Sequence, residues 1–189
     1  MVEWMSVSAE LLRQRCAPIE MLVLDVDGVL TDGSIIYGEG GLEIKAFHVR
    51  DGAGVKIWHS LGKRSAIITG RTSRAVARRA AELGISPVFQ GAADKGAAFE
   101  QVLGAVRLQP VQICCLGDDL PDCPLFATCG LAVAVSDASL EVKNAAHYVT
   151  TSSGGRGAVR ETIELILRSQ GRWQQVLERF ACPLLPGVV

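Results

Sequence analysis

The sequence predicts an α/β protein with a parallel central sheet, and three observations carry that expectation. From Ser65 onward, short apolar runs alternate with helix-length segments, the pattern that buries a parallel sheet between two layers of helices. Ahead of it, Met21-Leu22-Val23-Leu24 is an apolar run bounded by turn-formers and reads as a buried strand. The strands of the alternation end in polar clusters, and parallel strands bring such ends to one edge of the sheet. At 189 residues the chain supplies one full-sized core, so a single domain over 1–189 is expected.

Taken in order, residues 6–16 read as a leading helix with Ser8 as its cap. After the first strand, Ser34–Tyr37 and Leu42–Phe47 flank a glycine-rich turn at 38–41, which predicts a β-hairpin insertion over about 34–49. Asp51 is placed to cap a helix that runs through Leu61 and closes at Gly62. Strand 66–68 ends at Thr69-Gly70-Arg71, and a helix over 73–83 stops at Gly84. Strand 88–89 leads to a helix beginning near Asp94-Lys95, and strand 111–116 ends at Gly117-Asp118-Asp119 before another helix. Strand 131–135, a helix near 139–145, a strand at 147–149 and a helix from Gly154-Gly155-Arg156-Gly157 to about Ser169 complete a core of about 20–168. A helix near 173–180 and a proline-containing tail make up the segment 171–189, to which pattern assigns no role.

Composition narrows the function. Hydrophobic residues at 49% against 21% charged describe a globular chain. A net charge of −1 argues against a nucleic-acid or anionic-membrane surface, and no apolar run approaches the length of a membrane span. Residues 1–20 lack the basic start and apolar centre of a signal peptide, so a cytoplasmic protein is expected. The six cysteines have no framework spacing and read as small buried hydrophobes.

Asp25 and Asp27 stand one residue apart at the end of the first strand, and side chains at i and i+2 leave an extended segment on the same face. Two adjacent carboxylates are costly unless a cation or a shared proton relieves them, and Mg²⁺ with oxygen ligands is the simplest relief. Singly, each signal has a plainer reading. Asp and Gly are ordinary turn residues, Thr69-Gly70 is a strand-end turn, Lys95 a solvated helix charge, and Asp118-Asp119 a helix cap with a first-turn acid. Their order on successive β/α units is what points to chemistry.

Asp25-Val26-Asp27-Gly28-Val29-Leu30-Thr31-Asp32-Gly33, followed by Thr69, Lys95 and Gly117-Asp118-Asp119, resembles the motif set of the haloacid dehalogenase-type phosphatases. The resemblance implies a Rossmann-like three-layer sandwich, with Asp25 as nucleophile and Asp27 as general acid and base. It implies Mg²⁺ held by the carboxylates of Asp25 and Asp118 and the backbone carbonyl of Asp27, with Lys95 and Thr69 stabilising the transferring phosphoryl group. Members usually carry a separate cap domain. Here the gaps between motifs hold only a hairpin and one helix, so no cap is expected.

Further stretches, His48-Val49-Arg50-Asp51-Gly52, Asp94-Lys95, Asp122 and Gly154–Glu161, narrow the resemblance to a cap-less, homotetrameric subgroup. That subgroup hydrolyses the phosphate ester of an eight-carbon keto-sugar acid. It implies a substrate site of Asp27, His48, Val49, Arg50, Asp51, Gly52, Lys56, Gly70, Arg71, Arg79 and Lys95, where arginine forks suit a small molecule bearing phosphate and carboxylate. Lys56 stands where arginine is expected, and His48 where asparagine is; His59 and His147 match nothing. The hairpin's apolar Ile35, Tyr37, Leu42 and Ile44 are an aggregation hazard on a monomer, so the hairpin is expected to pack on symmetry mates and help cover a neighbour's site. The loop at 152–157 reads equally as a cover of that kind or as a helix entry. Competing readings are a phosphatase for a nine-carbon keto-sugar acid, a phospho-receiver domain and a non-catalytic binding module. Arg71, where nine-carbon relatives carry an acid, favours the eight-carbon substrate.

Overall fold

A computed structural model describes residues 8–182. Six parallel strands form the central sheet: β1 (Met21–Leu24), β4 (Arg64–Ile68), β5 (Val88–Phe89), β6 (Ile113–Gly117), β7 (Leu131–Ala134) and β8 (Tyr148–Val149). They lie in the order β5-β4-β1-β6-β7-β8. β1 pairs with β4 on one side and β6 on the other, and all four of its residues are buried, which is why it reads as an unbroken apolar run. The remaining strands, β2 (Ile36–Tyr37) and β3 (Glu43–Ile44), form the expected antiparallel hairpin with shorter arms than the sequence suggested.

The helices are α1 (Ala9–Cys16), α2 (Val49–Ser60), α3 (Arg74–Leu83), α4 (Lys95–Val106), α5 (Cys123–Phe126), α6 (Leu140–Ala145), α7 (Ala158–Ser169) and α8 (Trp173–Arg179). Right-handed crossovers put α2 and α3 on one face of the sheet and α4, α5 and α6 on the other. α7 packs against α2, α1 and α8. The chain winds outward from β1 to β5, then crosses back to β6 and winds the other way. Strand order therefore reverses between β1 and β6, and the crevice at their carboxyl ends is where such sheets bind ligands. Among the described residues no helix is long and apolar enough to cross a membrane.

Three local expectations need correction. Asp51 does not cap its own helix: α2 begins earlier, with His48 at the cap position, and Asp51 turns to the start of α7 instead. Its carboxylate accepts hydrogen bonds from the Gly157 and Arg160 backbone N–H groups at 3.2 and 2.8 Å. The strand expected from residue 111 starts at Ile113, because Pro110–Gln112 forms a 3₁₀ turn. The helix after Asp118 is a one-turn 3₁₀ segment, Leu120–Asp122, leading into the short α5. Cys16, Cys114, Cys115 and Cys129 are buried as expected, whereas Cys123 is half-buried and Cys182 exposed. The first two residues of the expected leading helix and the tail beyond Cys182 lie outside the described residues.

Candidate active site

The switch point gathers the acids. The Asp25 N–H continues the ladder by donating to Leu116 O at 3.2 Å, so Asp25 leaves β1 directly beside the end of β6, where Asp118 follows. Opposite them stands Lys95, the first residue of α4, set by its neighbour Asp94, whose side chain caps that helix by accepting from Ala97 N–H at 3.0 Å. Lys95 Nζ lies 2.9 Å from Asp25 Oδ1 and 2.6 Å from Asp122 Oδ1. The other oxygen of Asp122 accepts from Asp118 N–H at 3.1 Å and Asp119 N–H at 3.4 Å. Asp122 thus ties the ammonium to the loop that carries Asp118. The close approach depends on Gly28: with φ +97°, a Cβ there would sit 2.1 Å from Asp118 Oδ2.

Asp25, Asp118 and Asp122 each offer an oxygen within 4.8 Å of the others, a hard donor set suited to a divalent cation such as Mg²⁺. Its electrostatics ask for one. Burial, opposed by Lys95 and reinforced by Asp122, pushes the Asp25 carboxyl up to about 6. Burial together with Asp25 and Asp122 pushes Asp118 up to about 8. Burial works against the charge of Lys95, but the Asp25 and Asp122 carboxylates outweigh it and hold its pKa above the ordinary lysine value. Because both acids titrate above the 3.8 of an unfolded aspartate, the folded metal-free chain binds more protons than the unfolded one over that interval. Its stability therefore falls as pH rises from about 4 to about 8. A cation takes the place of those protons. Magnesium at about 100 times its dissociation constant is expected to stabilise by about 2.7 kcal/mol. For a chain of this size that is roughly 5–10 °C in Tm, with the larger shift at about pH 8 and the smaller at about pH 5. Equal shifts in thermal melts at the two pH values would remove these carboxylates from the cation site.

Asp27 is turned away from this trio. Its Oδ1 accepts from Lys45 Nζ, just beyond β3, and its Oδ2 lies 4.0 Å from Arg71 Nε. Arg71 Nη2 donates to Glu43 Oε1 and the Tyr37 hydroxyl, both at 3.3 Å. Thr69 is buried at the end of β4, with its backbone bonded to Phe89 and Ala92, and Gly70 beside it is exposed. The expected residues Asp25, Asp27, Thr69, Arg71, Lys95 and Asp118 all fall at this sheet edge. Asp122, Glu43, Lys45 and Tyr37 were not expected there. Asp122 was visible as part of the Asp118 motif. Glu43 and Lys45 carried a weaker signal, an i, i+2 polar pair on the hairpin face opposite Ile44.

A second group forms where α2 begins. The Arg79 guanidinium lies 5.8 Å from the Phe47 ring centre and against Gly52, where a Cβ would stand 2.2 Å from Arg79 Nη2. His48 Nδ1 is buried without a hydrogen bond, 3.7 Å from Asp51 Oδ2. Val49, Arg50 and Lys56 are exposed. Arg50 lines a cleft of about 430 Å³ shared with Arg156, Arg160 and Arg168, whose walls include none of the acidic trio. The loop before α7 lies on this chain's own turn after β1: Gly155 N–H donates to Val29 O at 2.9 Å, and a Cβ on Gly154 would fall 1.7 Å from Gly28 O.

Comparison with known proteins gives this arrangement a family. A model of haloacid dehalogenase-like hydrolases matches residues 86–163. The 3-deoxy-D-manno-octulosonate 8-phosphate phosphatase of Yersinia pestis is 47% identical over 159 residues, which cover 84% of this chain and 85% of that enzyme. The chain belongs to the haloacid dehalogenase-like hydrolases. The enzyme of the same name from Escherichia coli strain K12 is 45% identical over 166 residues, 88% of each chain. The crystal structure of the Yersinia pestis enzyme superposes with a TM-score of 0.86 at 46% identity, covering 88% of this chain and 90% of that one. That of the Moraxella catarrhalis enzyme, a complex with magnesium, phosphate and KDO, gives 0.89 at 39% identity over 92% and 99% of the two chains.

Within this haloacid dehalogenase-like hydrolase, one sheet edge holds a carboxylate pinned by an ammonium, a second carboxylate held apart from it, and a cradle for a divalent cation. Phosphoryl transfer needs those parts: a nucleophile, a proton carrier and charge neutralisation.

Proposed function

We propose that the chain is a magnesium-dependent phosphomonoesterase that hydrolyses 3-deoxy-D-manno-octulosonate 8-phosphate to the free sugar acid and phosphate, a step in lipopolysaccharide precursor synthesis. The observation that carries the reading is the meeting of Asp25, Lys95 and Asp118 at the switch point. Identities of 45–47% to phosphatases of that name support the substrate.

In this reading Asp25 attacks phosphorus, and the ester oxygen leaves with the bonding pair as an aspartyl-phosphate forms. Asp27 gives its proton to the departing oxygen, then takes one from the water that attacks the aspartyl-phosphate and frees Asp25. Lys95 holds Asp25 Oδ1 and offers positive charge to the transferring group. Asp25 and Asp118, with the backbone carbonyl of Asp27, would hold magnesium beside Asp122, and the ion when bound lets an anionic nucleophile approach an anionic ester. Arg71 and Arg79 are assigned to the substrate's carboxylate end. On a panel of sugar phosphates, kcat/KM is expected to be highest for the eight-carbon 8-phosphate. An equal or higher value for a nine-carbon keto-sugar acid 9-phosphate would transfer the assignment to that substrate.

The assembly we propose is a homotetramer. Ile35, Ile36, Tyr37, Leu42 and Ile44 cluster their exposed apolar surface on the hairpin, Tyr37 at 67% and Leu42 at 61%, more than a two-stranded ribbon leaves open to water without cost. Exposed Lys56 and Val49 are then available to a neighbour's site. Sizing by light scattering is expected to give four chains at micromolar concentration. Leu42→Glu is expected to shift that mass downward, and a wild-type monomer would defeat the assembly.

A further inference from the structure

We propose that Lys45 is a positioning residue for Asp27: it holds Oδ1 so that Oδ2 alone meets the leaving oxygen, and it ties that alignment to the seating of the hairpin. The proposal rests on the phosphatase reading, with Asp27 as proton carrier.

The Lys45 side chain has no exposed surface, and lysine is almost never fully buried unless its charge is paired. Its partners are Asp27 and, at 3.6 Å, Glu43 Oε1. An aspartate on a turn has a broad terminal torsion, so either oxygen can face a substrate. An ammonium on Oδ1 removes that freedom. On the other side, Arg71 stays 4.0 Å from Oδ2, too far for a hydrogen bond, because Glu43 and Tyr37 hold its fork. The hairpin thus sends Glu43 and Lys45 inward around Asp27 and Arg71, while Ile36, Tyr37, Leu42 and Ile44 stay exposed, the Tyr37 hydroxyl reaching Arg71 from outside.

General acid catalysis depends on placing the donor within hydrogen-bond reach of the oxygen it protonates. As the P–O bond breaks and its electron pair moves to the ester oxygen, the proton on Asp27 Oδ2 must already lie on that line. The requirement is strict for an alkoxide, which leaves poorly unprotonated, and slight for a nitrophenolate.

The test compares leaving groups on the full chain with magnesium. In Lys45→Met, kcat on the sugar-acid phosphate is expected to fall on the order of 30-fold, part of the 10²–10⁴ that a general acid contributes. On 4-nitrophenyl phosphate it is expected to change by less than about 3-fold, with KM little altered. Equal losses on both substrates, or a rise in KM on both with kcat kept, would overturn the proposal by making Lys45 a packing residue or a phosphate contact. Should Lys45→Met not fold, the same ratio is read on Lys45→Arg, whose longer fork moves the donor off Oδ1; an unchanged ratio there overturns it. The ratio needs only an alkyl phosphate that the wild type turns over. Wild-type silence toward the octulosonate phosphate therefore defeats the substrate assignment and leaves the Lys45 result readable.

Discussion

Asp25→Asn is expected to lose turnover by roughly 10⁴-fold or more while the chain stays folded, the scale on which loss of a covalent nucleophile falls. The amide matches the carboxylate in shape but cannot attack phosphorus. Its neutrality suits the site, since burial and Asp122 already push the Asp25 carboxyl up to about 6. Lys95 keeps its 2.6 Å contact with Asp122. The variant should therefore melt no lower than wild type without metal at about pH 8, where the wild-type carboxylate is charged against its environment. A stopped assay over hours, run beside thermal melts, checks both halves. Residual activity above about one part in a hundred would remove Asp25 as the nucleophile.

Lys95→Met should damage both activity and stability. Its ammonium is the cation that the structure places among Asp25, Asp118 and Asp122, and breaking a buried pair costs about 3–5 kcal/mol because charge is left uncompensated. The sign with pH follows from the same carboxyls. Without the ammonium they are tolerated when protonated, so the deficit should be largest near pH 8 and shrink toward about pH 5. Added magnesium should recover part of the stability and little of the turnover. Denaturant unfolding at both pH values reads the outcome, and an equal deficit at each would mean that Lys95 acts through the packing of its stem.

The sequence was most readable where chemistry follows from local geometry. An i, i+2 acid pair at a strand end, Thr69 ending the next strand of the sheet and Lys95 opening a capped helix each carry their placement within a few residues. Parallel alternation then makes them neighbours. Asp122 was harder, because its work is to hold Lys95 and the backbone of Asp118 and Asp119, and nothing in the spacing of its motif separates that from helix capping. Lys45 was hidden behind the hairpin's apolar face. Its partner Asp27 is 18 residues away, across a turn whose fold-back periodicity does not aim. Asp51 was misread for a similar reason: an acid near a helix start fits its own helix, whereas the N–H groups it satisfies lie 106 and 109 residues away.

Gly154 resting on the carbonyl of Gly28 has a consequence for how the enzyme comes into being. Translation delivers Asp25 and Asp27 first, and the surface that buttresses their turn follows some 125 residues later, with Gly154 and Gly155. A nascent or truncated chain ending before that point would own every acid the cation needs and lack the wall that keeps them in register. Competence for phosphoryl transfer would thus wait on the loop of Gly154 and Gly155 as well as on the acids themselves.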